Sequence, residues 1–148
     1  MAEIVKQKEQ QDEKGETKAK GSYTLSKENE NFTVNVNFSV KKTGIMGTGK
    51  GFMTYAIYDR DKNEVYRYDK GFTVGADPTG AAKKNDSEEA EVMGWDGKGK
   101  TIFKVAATGD SSGLPNSIGD IKDFIGFDFL GDFEGIKEIG GWIIESIG

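Results

Sequence analysis

Residues 31–42, with the sequence NFTVNVNFSVKK, decide the fold class of this chain. Every second residue in this stretch is large and apolar, in the order Phe32, Val34, Val36, Phe38 and Val40. The residues between them are small and polar. Alternation with a period of two, in β-branched and aromatic residues, predicts a half-buried β-strand. Its polar second face predicts an antiparallel sheet with one side in water.

Further strand-forming segments surround this one, at residues 22–26, 52–58, 64–69, 91–95 and 101–107. Polar turns at residues 59–63 and 96–100 predict two hairpins. Residues 75–90 have the composition of a long polar loop. About six strands with regular turns and no strand–helix alternation predict a mostly-β fold, an antiparallel β-sandwich or a small β-barrel over residues 21–110.

Composition excludes several classes of function. The chain has 148 residues, the usual size of one domain, and contains no Cys and no His. It therefore has no disulfide, no thiolate nucleophile, no Ser-His-Asp triad and no imidazole ligand for a metal. The formal net charge of −5 argues against a nucleic-acid partner, because such proteins usually carry a basic patch. We expect no metal and no cofactor.

The N-terminal segment, residues 1–20, is rich in Lys, Glu and Gln and has no large apolar residue after Val5. Such a segment cannot bury enough surface to offset the entropy of ordering, so its composition predicts a disordered charged tail. No apolar run of the secretory type follows Met1, which predicts a protein that is cytoplasmic or exported by a route other than Sec.

Two short motifs resemble ligand loops. Gly44–Gly51 nearly matches a phosphate-binding loop, but Gly51 replaces the hydroxyl residue and a strand pattern follows in place of a helix. We interpret it as a connection between strands. Residues 59–63 have the D-x-D-x-N spacing of a calcium loop but lack its later Gly and Glu, which favours a solvated hairpin turn.

Aromatic residues are concentrated on the predicted hairpins. Tyr55, Tyr66, Tyr68 and Trp95 are candidates for lining a small-ligand cavity, although strand aromatics more often pack in a core. Catalysis without His would depend on carboxylate, Lys, Ser or Tyr groups, and no spacing singles out a pair. A carboxylate-dependent enzyme is therefore an alternative, and a non-enzymatic protein is the prediction.

Residues 117–148 contain seven acids against two Lys and account for the whole net charge. Apolar residues recur there with a helical period, which predicts a Gly-rich amphipathic helical segment packing on or extending from the β domain. The candidate membrane- or partner-binding residues on it are Ile118, Ile121, Ile125, Phe129, Phe133, Ile136, Ile139, Trp142, Ile143 and Ile147. The many glycines weaken this helix.

In composition, this segment, which ends in GWIIESIG, resembles acid-triggered viral fusion peptides. The resemblance implies membrane engagement favoured at low pH, because protonation removes the cost of burying carboxylates. The alternatives are a docking helix for a protein partner and a simple cover over an open sheet face. We therefore predict a binding or interaction protein whose C-terminal segment engages membrane lipid or a protein, with homo-oligomerisation possible if the stripe is exposed.

Overall fold

The computed structural model describes residues 2–44, 47–75, 81–108 and 143–147. These contain eight strands: β1 Glu3–Lys14, β2 Thr17–Glu28, β3 Asn31–Thr43, β4 Thr48–Tyr58, β5 Glu64–Gly75, β6 Ala81–Val92, β7 Gly99–Thr108 and β8 Ile143–Ile147. They form two four-stranded sheets, ordered β1-β2-β3-β6 and β5-β4-β7-β8, and every described pair is antiparallel. The mostly-β antiparallel prediction is confirmed, but the strand count is higher than the expected six.

One hydrophobic core lies between the two sheets. The apolar face of β3, from Phe32 to Val40, is buried, and its polar face is directed outward. Aromatic pairs join the sheets across this core. The rings of Tyr23 and Tyr55 stack with centroids 3.9 Å apart, and those of Phe38 and Phe72 lie parallel at 5.7 Å.

Glycines on β4 allow the sheets to approach closely at one end of the core. A Cβ on Gly49 would lie 1.9 Å from Thr17 Oγ1, and a Cβ on Gly51 would lie 2.7 Å from Val40 Cγ2. Any larger residue would force the sheets apart. The second half of the Gly44–Gly51 motif is therefore the start of a strand that begins at Thr48, and its glycines serve packing.

The prediction of a disordered tail at residues 1–20 is wrong, because Glu3–Lys14 forms β1 and pairs with β2 along its length. Its inward positions carry polar side chains that bond to the edge of β7. The amide of Val105 donates to Gln10 Oε1 at 2.8 Å, and the amide of Ala107 donates to Asp12 Oδ2 at 2.9 Å. This strand is held by hydrogen bonds, which an argument from apolar burial overlooks.

The prediction of a loop over residues 75–90 is also wrong, because Ala81–Val92 forms β6 and pairs with β3. The central inward positions of β6 are polar, and Ala82, Ala90 and Val92 lie at its two ends. Asp86 and Glu88 accept hydrogen bonds from the hydroxyls of Tyr68 and Tyr66 on β5. Charged residues are common on edge strands, since they discourage pairing with other chains.

The end of the predicted C-terminal helix is a strand. Ile143–Ile147 forms β8, which pairs with β7 from Gly99 to Phe103. Its β-branched residues suit a strand, and the sheet supplies partners for its backbone. The predicted helix over residues 117–142 lies outside the described residues. Among those that are described, no helix is both long and apolar enough to cross a membrane.

Replacement of Asp12 by Ala is expected to lower the free energy of unfolding by about 2 kcal/mol, because the amide of Ala107 loses a charged acceptor. Urea denaturation followed by circular dichroism measures this change. Gln11→Ala is the matched control, since Gln11 is the preceding residue and is exposed; its effect should stay below about 0.5 kcal/mol. Equal effects of the two variants would show that Asp12 does not hold β1 in place.

Candidate functional site

Most of the candidate residues of the C-terminal stripe lie outside the described part of the chain, namely Ile118, Ile121, Ile125, Phe129, Phe133, Ile136, Ile139 and Trp142. The last two candidates, Ile143 and Ile147, belong to β8, and Ile147 is a core residue with 5% exposure. Glu145 lies 3.4 Å from the ammonium of Lys6 and 3.6 Å from that of Lys8. The described end of the segment is therefore part of the sheet.

The candidate cavity tyrosines lie in packed surroundings. Tyr55 has 0% exposure and its ring stacks on Tyr23. Tyr66 and Tyr68 are on the same face of β5, and Tyr68 donates to Asp86 at 2.7 Å. Tyr55, Tyr66 and Tyr68 line none of four surface pockets between described residues. The aromatic ligand cavity stays a prediction.

Trp95 has a structural contact of its own. Its ring packs on Phe32 with centroids 4.7 Å apart, and its indole N–H donates to the carbonyl of Lys98 at 2.8 Å. Trp95 also borders a shallow pocket of about 190 Å³ beside Asp59 and Asp96. The indole thus fixes the loop between β6 and β7.

Burial raises the pKa of every tyrosine in the chain. The chain has five, and burial is the largest cause for each: Tyr23, Tyr55, Tyr58, Tyr66 and Tyr68. The pKa of Tyr23 rises to about 12, helped by the nearby Glu145 carboxylate. For Tyr66 and Tyr68, the hydrogen bonds donated to Glu88 and Asp86 raise the pKa further. The hydroxyls of Tyr66 and Tyr68 therefore keep their protons at neutral pH and donate hydrogen bonds to these carboxylates.

A buried carboxylate, Asp69, is fully engaged by its neighbours. Its Oδ1 accepts from the hydroxyl of Thr54 at 2.6 Å, and its Oδ2 lies 2.7 Å from Nε of Arg67. Both oxygens have a donor, so this carboxylate has the environment of a structural ion pair and not that of a general base.

The site with the most distinctive chemistry is a pocket at the end of the second sheet, which we call the basic end pocket. Its volume is about 330 Å³, and its described lining is Asp59, Arg60, Lys62, Lys98, Gly99, Lys100, Ser146 and Ile147. Four of these eight residues are cationic and one is acidic. The pocket joins the β4–β5 turn, the loop before β7 and the end of β8.

The β4–β5 turn is fixed by its own carboxylate. Asp59 Oδ1 accepts hydrogen bonds from the amides of Asp61 and Asn63, both at 2.9 Å. The backbone closes the same turn, since the amide of Asp59 donates to the carbonyl of Asn63. Among the described residues, no acidic cluster suited to a metal ion is found. The turn uses Asp59 internally and holds Arg60 and Lys62 at the pocket.

The loop between β6 and β7 contacts this turn through an ion pair of Asp96 with Arg60. The carboxylate of Asp96 accepts from the amide of Lys98 at 3.0 Å and lies 2.8 Å from a guanidinium nitrogen of Arg60. The amide hydrogen bond, followed by the Arg60 charge, lowers the pKa of Asp96. Gly99 follows with a φ of 144°, and a Cβ there would lie 1.8 Å from the carbonyl oxygen of Tyr58. Only glycine allows this close approach.

The sequence predicts hairpins at both polar segments, and only the first prediction is confirmed, since β4 pairs with β5. The predicted hairpin around residues 96–100 is wrong, because β6 pairs with β3 in one sheet and β7 pairs with β4 in the other. The two motifs, DRDKN and DGKGK, each read as a polar hairpin turn. They become neighbours because β4 pairs with β7, which places Tyr58 opposite Lys100. The signal in the sequence was a pair of basic residues two positions apart in each segment, Arg60 and Lys62 in the first and Lys98 and Lys100 in the second. Only the pairing of β4 with β7 shows that the two pairs lie at one site.

Comparison with known proteins gives little further guidance. No family model matches this chain, and no curated protein matches it. A similar solved structure is that of a proposed beta-galactosidase from Bacteroides fragilis, with 11% sequence identity and a TM-score of 0.33. The match covers 57% of this chain and 15% of that one.

The raised tyrosine pKa values predict that stability falls in alkali. A phenol whose pKa is higher in the folded than in the unfolded state keeps its proton above about pH 10, where the unfolded chain releases it. The free energy of unfolding should therefore decline between about pH 10 and the pKa of about 12 given for Tyr23. Tyr23→Phe should reduce this decline, measured as the difference between urea midpoints at pH 8 and pH 11. An identical decline in both proteins would contradict the assignment.

Proposed function

We propose that this chain is a non-enzymatic binding protein and that its basic end pocket binds a small organic anion with two or more negative charges. The observation that carries the proposal is the convergence of Arg60, Lys62, Lys98 and Lys100 on one concave site. Its volume of about 330 Å³ falls within the usual range for small-ligand pockets.

The charge of the pocket is poorly balanced by its own acids. Asp59 is committed to the backbone of its turn, and Asp96 neutralises Arg60. Within the described part of the chain, no carboxylate lies within 4.0 Å of the ammonium of Lys62 or Lys98, although Lys98 also acts electrostatically on Asp96. The Coulomb attraction between two unit charges 4 Å apart is about 1 kcal/mol in bulk water and about 4 kcal/mol near a protein surface, before desolvation and side-chain entropy reduce it. An anion with two charges is therefore favoured over one with a single charge.

The frame around these charges is rigid, which favours binding further. Asp59 and Asp96 accept hydrogen bonds from the backbone of the two loops, and the Trp95 indole donates one. Because these bonds hold the loops in place, little conformational entropy is lost when a ligand binds. Ile147 and the aliphatic lysine stems add an apolar wall, which suits the carbon skeleton of an organic anion.

The C-terminal membrane or partner hypothesis remains a second proposal, and it concerns residues 117–142. Its support is the acidic and apolar composition of that segment. The burial of Ile147 and the ion pairs of Glu145 with Lys6 and Lys8 assign β8 to the fold, so β8 is no part of that proposal.

Isothermal titration calorimetry with pyrophosphate, citrate and acetate tests the basic end pocket. We expect pyrophosphate and citrate to bind more tightly than acetate, with affinity falling as salt rises. Lys62→Gln and Lys98→Gln should each weaken the binding of both citrate and pyrophosphate about tenfold, equivalent to about 1.4 kcal/mol.

Lys14→Gln is the matched control, because it removes one exposed positive charge at the end of β1 and outside the pocket lining. Amide resonances of residues 59–63, 96–100 and 146–147 should shift on titration. Pyrophosphate shifts confined to other residues, or an equal loss of affinity in Lys14→Gln, would show that the pocket is not the site.

A further inference from the structure

The outer face of the first sheet has an ordered distribution of charge. The strand register places Lys18 of β2 directly opposite Lys41 of β3, and Lys41 directly opposite Lys83 of β6. All three side chains are exposed. We call this set the lysine row. Neighbouring strands are about 4.8 Å apart, so three like charges cross the sheet at close spacing.

The lysine row costs stability in the protein alone. Like charges directly opposite each other on adjacent strands are destabilising. The only acid in register with the row is Glu13, which lies opposite Lys18 on β1. Two of the three lysines have no carboxylate beside them in this register. An anion bound across the lysine row would replace this repulsion between like charges with attraction.

A polar groove adjoins the row on the same face. Its volume is about 240 Å³, and Lys20 and Lys83 stand at its border. The neutral hydrogen-bonding side chains that line it are Ser22, Asn37, Ser39, Asn85 and Ser87. The one acid in the lining, Asp86, is on the inward side of β6 and accepts a hydrogen bond from Tyr68. Hydroxyls and amides both donate and accept hydrogen bonds. The groove therefore suits a ligand with many hydroxyl groups.

We infer that this face binds an acidic glycan, with its carboxylate or sulfate groups on the lysine row and its hydroxyls in the groove. The combination of sparse positive charge with many neutral hydrogen-bonding groups matches such a polymer. This surface is separate from the basic end pocket, because the row lies at the Thr17–Gly49 end of the sheets and the pocket lies beyond Tyr58 at the other end of β4.

Other polyanions fit the surface less well. DNA carries one negative charge per 1.7 Å of its axis and would meet the acids Glu89 and Glu91 further along β6. A flat anionic membrane would meet the same acids. Single-stranded nucleic acid usually stacks its bases on aromatic rings, and the described outer positions of β2, β3 and β6 carry no aromatic residue.

Binding of immobilised protein to soluble polymers, measured by biolayer interferometry, tests the inference. Four probes separate its elements: polygalacturonate and dextran sulfate carry charge and hydroxyls, dextran carries hydroxyls alone, and polyglutamate carries charge alone. We expect the two acidic glycans to bind, dextran not to bind, and polyglutamate to bind at least tenfold more weakly than polygalacturonate.

Substitutions then locate the site. Lys41→Gln and Lys83→Gln should each weaken polygalacturonate binding about fivefold, and Asn37→Ala should weaken polygalacturonate but not polyglutamate. Lys84→Gln is the matched control, since Lys84 is the next residue, is exposed and lies in register with the buried Val40, on the inward side of β6. It should leave binding unchanged.

The unliganded variants provide a second readout. Lys41→Gln should raise the urea midpoint at low salt, because it relieves the repulsion within the row, and the gain should shrink at high salt. The inference is overturned if polyglutamate binds as tightly as polygalacturonate, or if Lys84→Gln weakens binding as much as Lys83→Gln. It is also overturned if only duplex DNA or anionic phosphatidylserine vesicles bind.

Discussion

The unpaired backbone groups at the edges of two open sheets are the constraint on which this structure depends. A buried amide without a hydrogen-bond partner costs free energy. An exposed amide at a sheet edge invites pairing with another chain. Here the side chains of β1 and β6, the edge strands of the first sheet, reach across to the second. Gln10 and Asp12 accept from amides of β7 on one side. On the other side, Asp86 accepts from a tyrosine of β5. The core is closed at both margins by polar contacts.

This closure explains which strands the sequence predicts. Residues 31–42 alternate between apolar and polar because one face of β3 is core and the other is water. The aromatic strands and the Asp59–Asn63 turn predict the β4–β5 hairpin equally well. β1, and β6 at its central positions, carry polar residues on the inward side, where Gln10, Asp12, Asp86 and Glu88 accept hydrogen bonds from the second sheet. Hydrophobic periodicity has no signal for such strands.

The candidate sites were harder to predict, for a related reason. Lys18, Lys41 and Lys83 are separated along the chain, and only the pairing register of β2, β3 and β6 brings them into one row. The basic end pocket likewise depends on the pairing of β4 with β7. A hydrophobic pattern fixes which face of a strand is buried. It does not say which distant strands pair, and that pairing determines which outward side chains become neighbours. Composition does not reveal these two cationic surfaces either, because the net charge of −5 is a sum over the whole chain.

The attachment of β1 also determines how the fold responds to mechanical force. The ladder between β1 and β2 runs from the pair Glu3–Lys27 to the pair Lys14–Thr17. Its hydrogen bonds lie perpendicular to the strands, so tension drawing Glu3 away from the sheet loads them one after another. Peeling then reaches Gln10 and Asp12, whose bonds to β7 must break together with the ladder. The first strand therefore separates one residue pair at a time, and its resistance to force is greatest near its C-terminal end, where the hydrogen bonds of Gln10 and Asp12 lie.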